Sequence, residues 1–261
     1  MTIDELTQQL KQEAENFNKN EPLASPMLKE QILSRDSFAE MLGVTLACGL
    51  AGEVIDRNKL ESLIKSCFEQ FPDILEQAKK DLCATVLRDP ACLGYLEPLL
   101  FFKGFQGLLA YRIAHALWEN GKRFTAKMFQ SIISRKFGMD IHPAATIDSG
   151  LLIDHATNIV IGETAIIGNN VSILHGVTLG GTGNECGDRH PKIGNGVMLG
   201  AHAQLLGNIK IGDGAKIGAG AVVLGDVPAH TTFAGVPAVE VGHPKDEMPS
   251  FNMQQDFTQD I

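Results

Sequence analysis

The most constraining feature of this sequence is a large aliphatic residue at every sixth position through much of its second half. A six-residue period cannot line one face of an α-helix, which turns every 3.6 residues, and the glycines that follow many of these positions would cost a helix about 1 kcal/mol each. Short strands joined by tight corners satisfy the pattern, because each strand points one aliphatic side chain inward and the next coil stacks about 4.8 Å above it. We therefore predict a stacked-coil β structure with inward positions at Ile141, Ile147, Ile153, Ile161, Ile167, Ile173, Leu179, Ile193, Leu199, Leu205, Ile211, Ile217 and Val223.

The six-residue pattern is interrupted twice. Its phase slips by two residues between Ile153 and Ile161, and it is broken again by residues 183–191, GNECGDRHP. A stacked coil tolerates an insertion only where the extra residues leave a corner as a loop, and loops on rigid scaffolds often carry function. We expect residues 183–191 to project outward and to contribute to a functional site.

The first half of the chain follows a helical period instead. From residue 2 to about residue 137, apolar residues recur three and four positions apart, which predicts helix after helix. Thr2 and Glu5 have the spacing of a capping box, and Pro90 pushes Asp89 out of helical geometry into a turn. The predicted fold class is α+β, with an α-helical domain (1–139), a β-helix domain (140–243) and a polar, flexible C-terminal tail (244–261).

Composition narrows the functional classes. The 31 acidic and 22 basic side chains give a formal net charge of −9, and the absence of a Lys/Arg cluster argues against a nucleic-acid partner. The polar N-terminal residues lack the pattern of a signal peptide, so a cytoplasmic location is expected. Five cysteines without a C-x-x-C pair argue against a disulfide framework or a zinc ribbon. Cys186 is either a reactive thiol or an incidental residue of its loop.

Several short motifs point to one family. The hexads resemble the left-handed β-helix of hexapeptide-repeat acyltransferases, in which three hexads form a coil, and they would give roughly four to five coils. The stretches DIHPAATI, IDHATNIVIGETA, VTLGGTG, GDRHPKIG and AGVPA, with RDPA and YLEPLLFFKGFQGLLAYRIAHALW in the helical half, resemble serine O-acetyltransferases. That resemblance implies transfer of acetyl from acetyl-CoA to L-serine in cysteine biosynthesis.

The resemblance also implies a catalytic pair. An alcohol is a poor nucleophile until its proton is leaving, and a histidine, with an ordinary pKa near 6.5, is a suitable base. The family places His155 as that base, with Asp140 accepting a hydrogen bond from its other ring nitrogen. The two can approach along neighbouring coils or across a subunit boundary. Transfer is expected to be direct, without an acyl-enzyme and without a metal.

The substrate contacts come from the same resemblance. Asp89 and Asp154 are expected to meet the ammonium or hydroxyl of serine, while Arg189 and His190 meet its carboxylate. Coenzyme A is expected in the groove between neighbouring β-helices. The residues that the resemblance assigns to it are Gly181, Ala201, Lys216 and Ala219.

The resemblance also predicts how the chain assembles and which molecules bind it, and the residues leave three alternative functions open. The resemblance implies trimers that pair through their helical domains into a hexamer, inhibition by L-cysteine, and binding of O-acetylserine sulfhydrylase by the C-terminal Ile261. Homoserine or a sugar hydroxyl is the alternative acceptor. His142, His175 and His202 raise a second alternative, a β-helical zinc carbonic anhydrase with three histidines across a trimer seam. A structural scaffold protein without catalytic activity is the third alternative.

Overall fold

The computed structural model describes residues 1–52, 55–183, 186–256, 258 and 260. In the helical half, Thr2 accepts a hydrogen bond from the Glu5 backbone N–H and Glu5 reciprocates, which confirms the capping box. Asp89 follows the helix Asp73–Arg88 in extended geometry, as the proline after it predicts. The helices are α1 (Ile3–Asn20), α2 (Ser25–Leu28), a π-helix (Lys29–Leu33), α3 (Phe38–Leu50), α4 (Arg57–Gln70), α5 (Asp73–Arg88), α6 (Leu96–Phe101), α7 (Lys103–Glu119), α8 (Arg123–Phe137) and, near the C-terminus, α9 (Pro249–Asn252). No helix among the described residues is long and apolar enough to cross a membrane.

The second half is a β-helix of three parallel sheets, each visited once per coil, which confirms the predicted fold class. The first sheet has the order β1-β4-β7-β10-β13, the second β2-β5-β8-β11, and the third β3-β6-β9-β12-β14, to which β15 adds antiparallel. The strands are β1 (Met139–Ile141), β2 (Thr146–Ile147), β3 (Leu152–Ile153), β4 (Ile159–Ile161), β5 (Ile166–Ile167), β6 (Ser172–Ile173), β7 (Thr178–Gly180), β8 (Lys192–Ile193), β9 (Met198–Leu199), β10 (Gln204–Leu206), β11 (Lys210–Ile211), β12 (Lys216–Ile217), β13 (Val222–Val223), β14 (Thr232–Ala234) and β15 (Val239–Gly242).

The inward aliphatic residues form ladders along the axis of the β-helix. In the first sheet, Ile141 pairs with Ile161, Ile161 with Leu179, Leu179 with Leu205, and Leu205 with Val223. Each of them is at most 1% exposed. Burying one such side chain contributes roughly 1.5–3 kcal/mol, so the ladder is a main source of stability for the β-helix.

A buried ion pair fastens the helices to the first coil. Arg112 of α7 donates two hydrogen bonds to Asp81 Oδ2 of α5, at 2.9 and 2.7 Å, and both side chains are 2% exposed. Asp81 Oδ1 accepts from the backbone N–H groups of Gly150 and Leu151, while Arg112 also donates to the Ile147 carbonyl. The corner that leads into β3 is thus held in place by two helices.

The C-terminal residues pack along the third sheet. Ser172 Oγ of β6 donates to the Ser250 carbonyl, and the guanidinium of Arg88 lies 4.3 Å from the centre of the Phe251 ring. Lys216 forms an ion pair with Asp260 at 2.8 Å. Part of the segment predicted to be a flexible tail is therefore docked beside the end of α5.

Candidate active site

A cleft of about 820 Å³ lies where the helices meet the edge of the third sheet. Asp89 reaches it from the end of α5, and Asp154 and His155 reach it from the corner after β3. Asp89, which is distant in the sequence, thus lines one cavity with the adjacent residues Asp154 and His155. The other lining residues include Arg88, Lys103, Gly104, Phe251 and Met253.

The turn that carries His155 has an unusual backbone. His155, Ala156 and Asn158 all have positive φ, at 54°, 59° and 60°. A non-glycine residue in that region costs about 1–3 kcal/mol and persists only where its surroundings hold it. The turn absorbs the two-residue slip in the hexad pattern, so that slip was a usable signal of this irregular corner beside the cleft.

The imidazole of His155 is open to the cleft. Its side chain is 76% exposed, and Nε2 lies 3.9 Å from Asp154 Oδ1. Behind it, the His175 ring stands edge-on at 6.0 Å and the His202 ring follows at 4.9 Å from His175. The imidazole is therefore presented to whatever occupies the cleft, with the Asp154 carboxylate beside it.

Asp140, the expected partner of His155, makes a different contact in the single chain. Its Oδ1 accepts a hydrogen bond from Gln130 Nε2 at 2.6 Å. Asp140 lies on β1 next to Val160 of β4, the strand that follows the His155 turn. Within the described part of the chain, no hydrogen bond joins Asp140 to His155.

Arg189 and His190 lie at another corner, between β7 of the first sheet and β8 of the second. Arg189 pairs with Glu163 at 2.9 Å, and its guanidinium lowers the pKa of that carboxyl group. His190 is 7% exposed, and its Nδ1 accepts from the Thr164 backbone N–H, so the neutral ring carries its proton on Nε2. Burial is the main cause that lowers the pKa of His190, with Arg189 and Lys192 adding to it. The ring is therefore held neutral near pH 7.

Two of the four residues expected to bind coenzyme A share one edge of the β-helix, and the other two lie elsewhere. Ala201 and Ala219 occupy equivalent corners of successive coils, on the same edge as His155, because each follows the inward residue of its strand by two positions. Gly181 packs against Arg189, since a Cβ at position 181 would lie 3.4 Å from Arg189 Cγ. Lys216 is 3% exposed and binds Asp260 in the docked C-terminal segment.

Two features of the cleft have no signal in the sequence pattern. Arg88 is 4% exposed and donates to Ser172 Oγ and the Val171 carbonyl, and burial lowers its pKa to about 10. Phe251 stacks on that guanidinium from the C-terminal segment. Nothing in the periodicity links these two positions, since their contact depends on how the last residues of the chain fold back.

The arrangement of ligating side chains bears on metal binding. Within residues 1–52, 55–183 and 186–256, no three His, Cys, Asp or Glu side chains are grouped as metal ligands.

Near the cleft, burial raises the pKa of the Cys92 thiol to about 12, and Asp89 adds to this. That thiol stays protonated at neutral pH and is a poor nucleophile.

Comparison with known proteins gives a consistent result. Residues 6–110 match the family described as serine acetyltransferase, N-terminal, and residues 190–225 match bacterial transferase hexapeptide repeats. The chain is 46% identical to a serine acetyltransferase of Haemophilus influenzae, covering 98% of this chain and 96% of that protein. It is 48% identical to the mitochondrial serine acetyltransferase 3 of Arabidopsis thaliana over 97% of this chain and 66% of that longer protein.

Solved structures agree with these relatives. The serine acetyltransferase of Vibrio cholerae superposes with a TM-score of 0.97 at 48% identity, covering 98% of this chain and 99% of that one. A serine acetyltransferase in complex with cysteine matches at a TM-score of 0.96 and 44% identity, covering 98% of this chain and all of that one, and a complex with CoA matches at 0.89 and 44%, covering 92% and 100%. The resemblance noted in the sequence is confirmed. This chain belongs to the serine acetyltransferase family of hexapeptide-repeat transferases.

Proposed function

We propose that this chain transfers the acetyl group of acetyl-CoA to the hydroxyl of L-serine in the cleft beside His155, giving O-acetyl-L-serine and CoA. The observation that carries the proposal is the exposed imidazole at the edge of that cleft, which the carboxylates of Asp89 and Asp154 also line. Asp89 and Asp154 face the same cavity and are suited to bind the ammonium group of an amino acid. An amino acid that also bears a hydroxyl then lies within reach of the base.

The reaction proceeds by general-base catalysis. His155 Nε2 accepts the serine hydroxyl proton as the oxygen attacks the thioester carbonyl, and the new C–O bond forms as the C–S bond breaks. The imidazolium then returns its proton to the leaving CoA thiolate, so the enzyme ends unchanged. Such catalysis typically contributes about 10²- to 10⁴-fold. Replacing His155 with Ala should lower kcat by about two orders of magnitude or more, and unchanged turnover would remove it as the base.

Asp140 is proposed to steady the imidazole once substrate is bound. Gln130 engages Oδ1 of Asp140, which leaves its second carboxylate oxygen free to accept the other imidazole N–H. A carboxylate in that place fixes the tautomer and stabilises the imidazolium. Asp140→Asn should therefore lower kcat, while Gln130→Glu, which adds a competing charge but keeps Asp140, offers a second probe of the same contact.

The complete serine site is proposed to form between two chains. His155 stands at the corner entering the first sheet, while Arg189 and His190 stand at the corner leaving it. The three-residue strands between these corners span roughly 10 Å, beyond the reach of hydrogen bonds to one small substrate. A neighbouring chain can place its own Arg189 and His190 against the cleft, so that both groups reach the same serine molecule as His155. We propose a trimer with three such sites, and pairing of trimers through the helical domains into a hexamer.

Mixed oligomers test this arrangement. His155→Ala and Arg189→Ala chains are each expected to be nearly inactive at low serine concentration. When they are co-expressed and assemble at random, about one interface in four combines an intact His155 with an intact Arg189. Roughly a quarter of wild-type activity should therefore return. If each site lies within one chain, co-expression restores nothing. His155→Ala mixed with a His155→Ala/Arg189→Ala chain is the matched control and should stay inactive.

Acetyl-CoA is proposed to lie along the column of corners that includes Ala201 and Ala219, above His155. Related enzymes have been solved in complex with CoA and with cysteine, which supports binding of both molecules here. That L-cysteine acts as an inhibitor is what the family resemblance implies. Measuring CoA release against a panel of L-serine, homoserine and sugar acceptors tests the substrate. Rapid release with L-serine alone is the expected result, and release with a different acceptor alone would overturn the assignment.

The C-terminus and the location are further proposals. Ile261, which lies outside the described residues, is proposed to bind O-acetylserine sulfhydrylase, as the resemblance implies. The preceding Asp260 forms an ion pair with Lys216. We also propose a cytoplasmic location, which subcellular fractionation would test.

A further inference from the structure

The N-terminus of α7 lies directly against the strand end that carries the catalytic corner. Gly104, the second residue of α7, approaches the backbone of β3 so closely that a Cβ there would lie 2.0 Å from the Ile153 carbonyl oxygen. Ile153 is the residue before Asp154. Any side chain at 104 would force helix and corner apart, because a backbone oxygen cannot move aside as the end of a flexible side chain can.

Lys103, the first residue of α7, extends this contact to the turn itself. Its ammonium donates a hydrogen bond to Thr157 Oγ1 at 2.5 Å. Thr157 in turn is joined to the base residue, because its backbone N–H donates to the His155 carbonyl at 2.7 Å. Its own carbonyl accepts from the Gly176 N–H of the next coil at 2.8 Å. Thr157 therefore connects helix, turn and neighbouring coil.

The placement of Lys103 is not explained by an ion pair among the described residues. Within that part of the chain, no carboxylate lies within 4 Å of its ammonium, although ion pairs hold Lys79, Lys192 and Lys216. The hydroxyl of Thr157 is its hydrogen-bond acceptor. Lys103 also lines the cleft with His155. Two roles are consistent with this position, a contact to the substrate carboxylate and a contact that holds the turn.

We propose that Lys103 is a positioning residue for the general base. Through Thr157, its ammonium holds the turn 154–158 in the positive-φ conformation that presents the His155 imidazole to the cleft. The inference rests on the proposed role of His155 as the base. Without the contact, the strained residues relax toward ordinary backbone geometry and the imidazole is displaced. A displacement of about 1 Å in a catalytic group can cost about 10²-fold in rate.

The test compares kcat and KM in full-length variants. Lys103→Met keeps most of the side-chain length but removes the donor, and Thr157→Val keeps the shape but removes the acceptor. Each should lower kcat by roughly 10- to 100-fold with little change in KM for serine or acetyl-CoA. The double variant should be no slower than the slower single variant, since both remove one interaction. Lys103→Arg, which can still donate to Thr157, should recover part of the rate.

A control and a second readout separate positioning from stability. Lys136→Met removes another lysine contact, to the Ala51 carbonyl away from the cleft, and should leave kcat unchanged. Hydrogen–deuterium exchange of the peptide covering residues 152–160 should be faster in Lys103→Met than in the wild type. This measurement does not depend on turnover.

Three results would overturn the inference. Unchanged kcat in Lys103→Met would show that Lys103 has no positioning role. A rise in the serine KM alone would make Lys103 a substrate contact. Losses of kcat that multiply in the double variant would show that Lys103 does not act through Thr157. Full activity in His155→Ala would instead refute the proposed function, whatever the Lys103 variants do. The two failures are therefore distinguishable.

Discussion

Replacing Asp81 with Asn tests whether the buried ion pair holds the helices on the β-helix. Asn is nearly isosteric, and its side-chain oxygen can still accept from the Gly150 and Leu151 N–H groups. What it loses is the charge that accepts two hydrogen bonds from Arg112. At 2% exposure the guanidinium has no access to water in exchange. Arg112 keeps its hydrogen bonds to the Ile147 and Asp148 carbonyls but loses its carboxylate partner. Removing one partner of a buried ion pair costs about 3–5 kcal/mol.

That cost is large enough to measure directly. For chains of this size, about 1 kcal/mol shifts the melting temperature by roughly 2–4 °C, so a decrease of about 6–20 °C is expected. Urea unfolding followed by circular dichroism gives the free energy of unfolding independently. Glu76→Gln is the matched control, because its ion pair with Lys79 lies at the surface, where such pairs contribute about 0–1 kcal/mol. An Asp81→Asn protein within about 1 kcal/mol of the wild type would refute the reasoning.

Three further predictions concern the loop, the C-terminus and pH. Arg189→Ala should raise the serine KM by roughly 10- to 100-fold, because it loses a charge-assisted hydrogen bond worth about 1.5–3 kcal/mol. The kcat should be nearly unchanged. Steady-state kinetics that show only a loss of kcat would reassign the residue. Deleting Ile261 should abolish association with O-acetylserine sulfhydrylase in a pull-down while acetyl transfer stays intact, and a complex that persists would contradict the assignment. Burial and nearby cations lower the pKa of His190, so the unfolded chain binds a proton more readily and stability should fall as pH drops through the ordinary imidazole value near 6.5. Urea midpoints measured across this range should depend less on pH in His190→Gln, and identical profiles would argue against this origin.

The six-residue period predicted which side chains of the β-helix point inward, and the family resemblance supplied three hexads per coil, which sets the register. Ile167 and Ile193 pair in neighbouring coils although the interrupting loop lies between them in sequence. The inward positions were predictable because every hexad repeats the same local step, one inward aliphatic residue and a tight corner. The predicted turn at Asp89 succeeded for a similar reason, since Pro90 restricts its neighbour directly.

The candidate site was only partly accessible in this way. The family resemblance supplied His155, Asp154 and Asp89, and the structure places them in one cleft. The contact of Lys103 with Thr157, and that of Arg88 with Phe251, had no signal in the period. The slip before Ile161 did mark the turn that carries His155, because two extra residues must leave the regular coil.

The sequence by itself determined that the second half coils in steps of six and which chemically capable side chains stand at its interruptions. Only the tertiary structure decided which of them share a cavity, since the packing of α5 on the first coil places Asp89 in the same cleft as His155. It also separated Arg189 from His155 by the width of one sheet. The physical reason is the range of the forces involved. Strand and corner geometry follow from neighbouring residues, whereas the docking of helices depends on contacts between positions tens of residues apart, such as Asp81 with the N–H groups of residues 150 and 151.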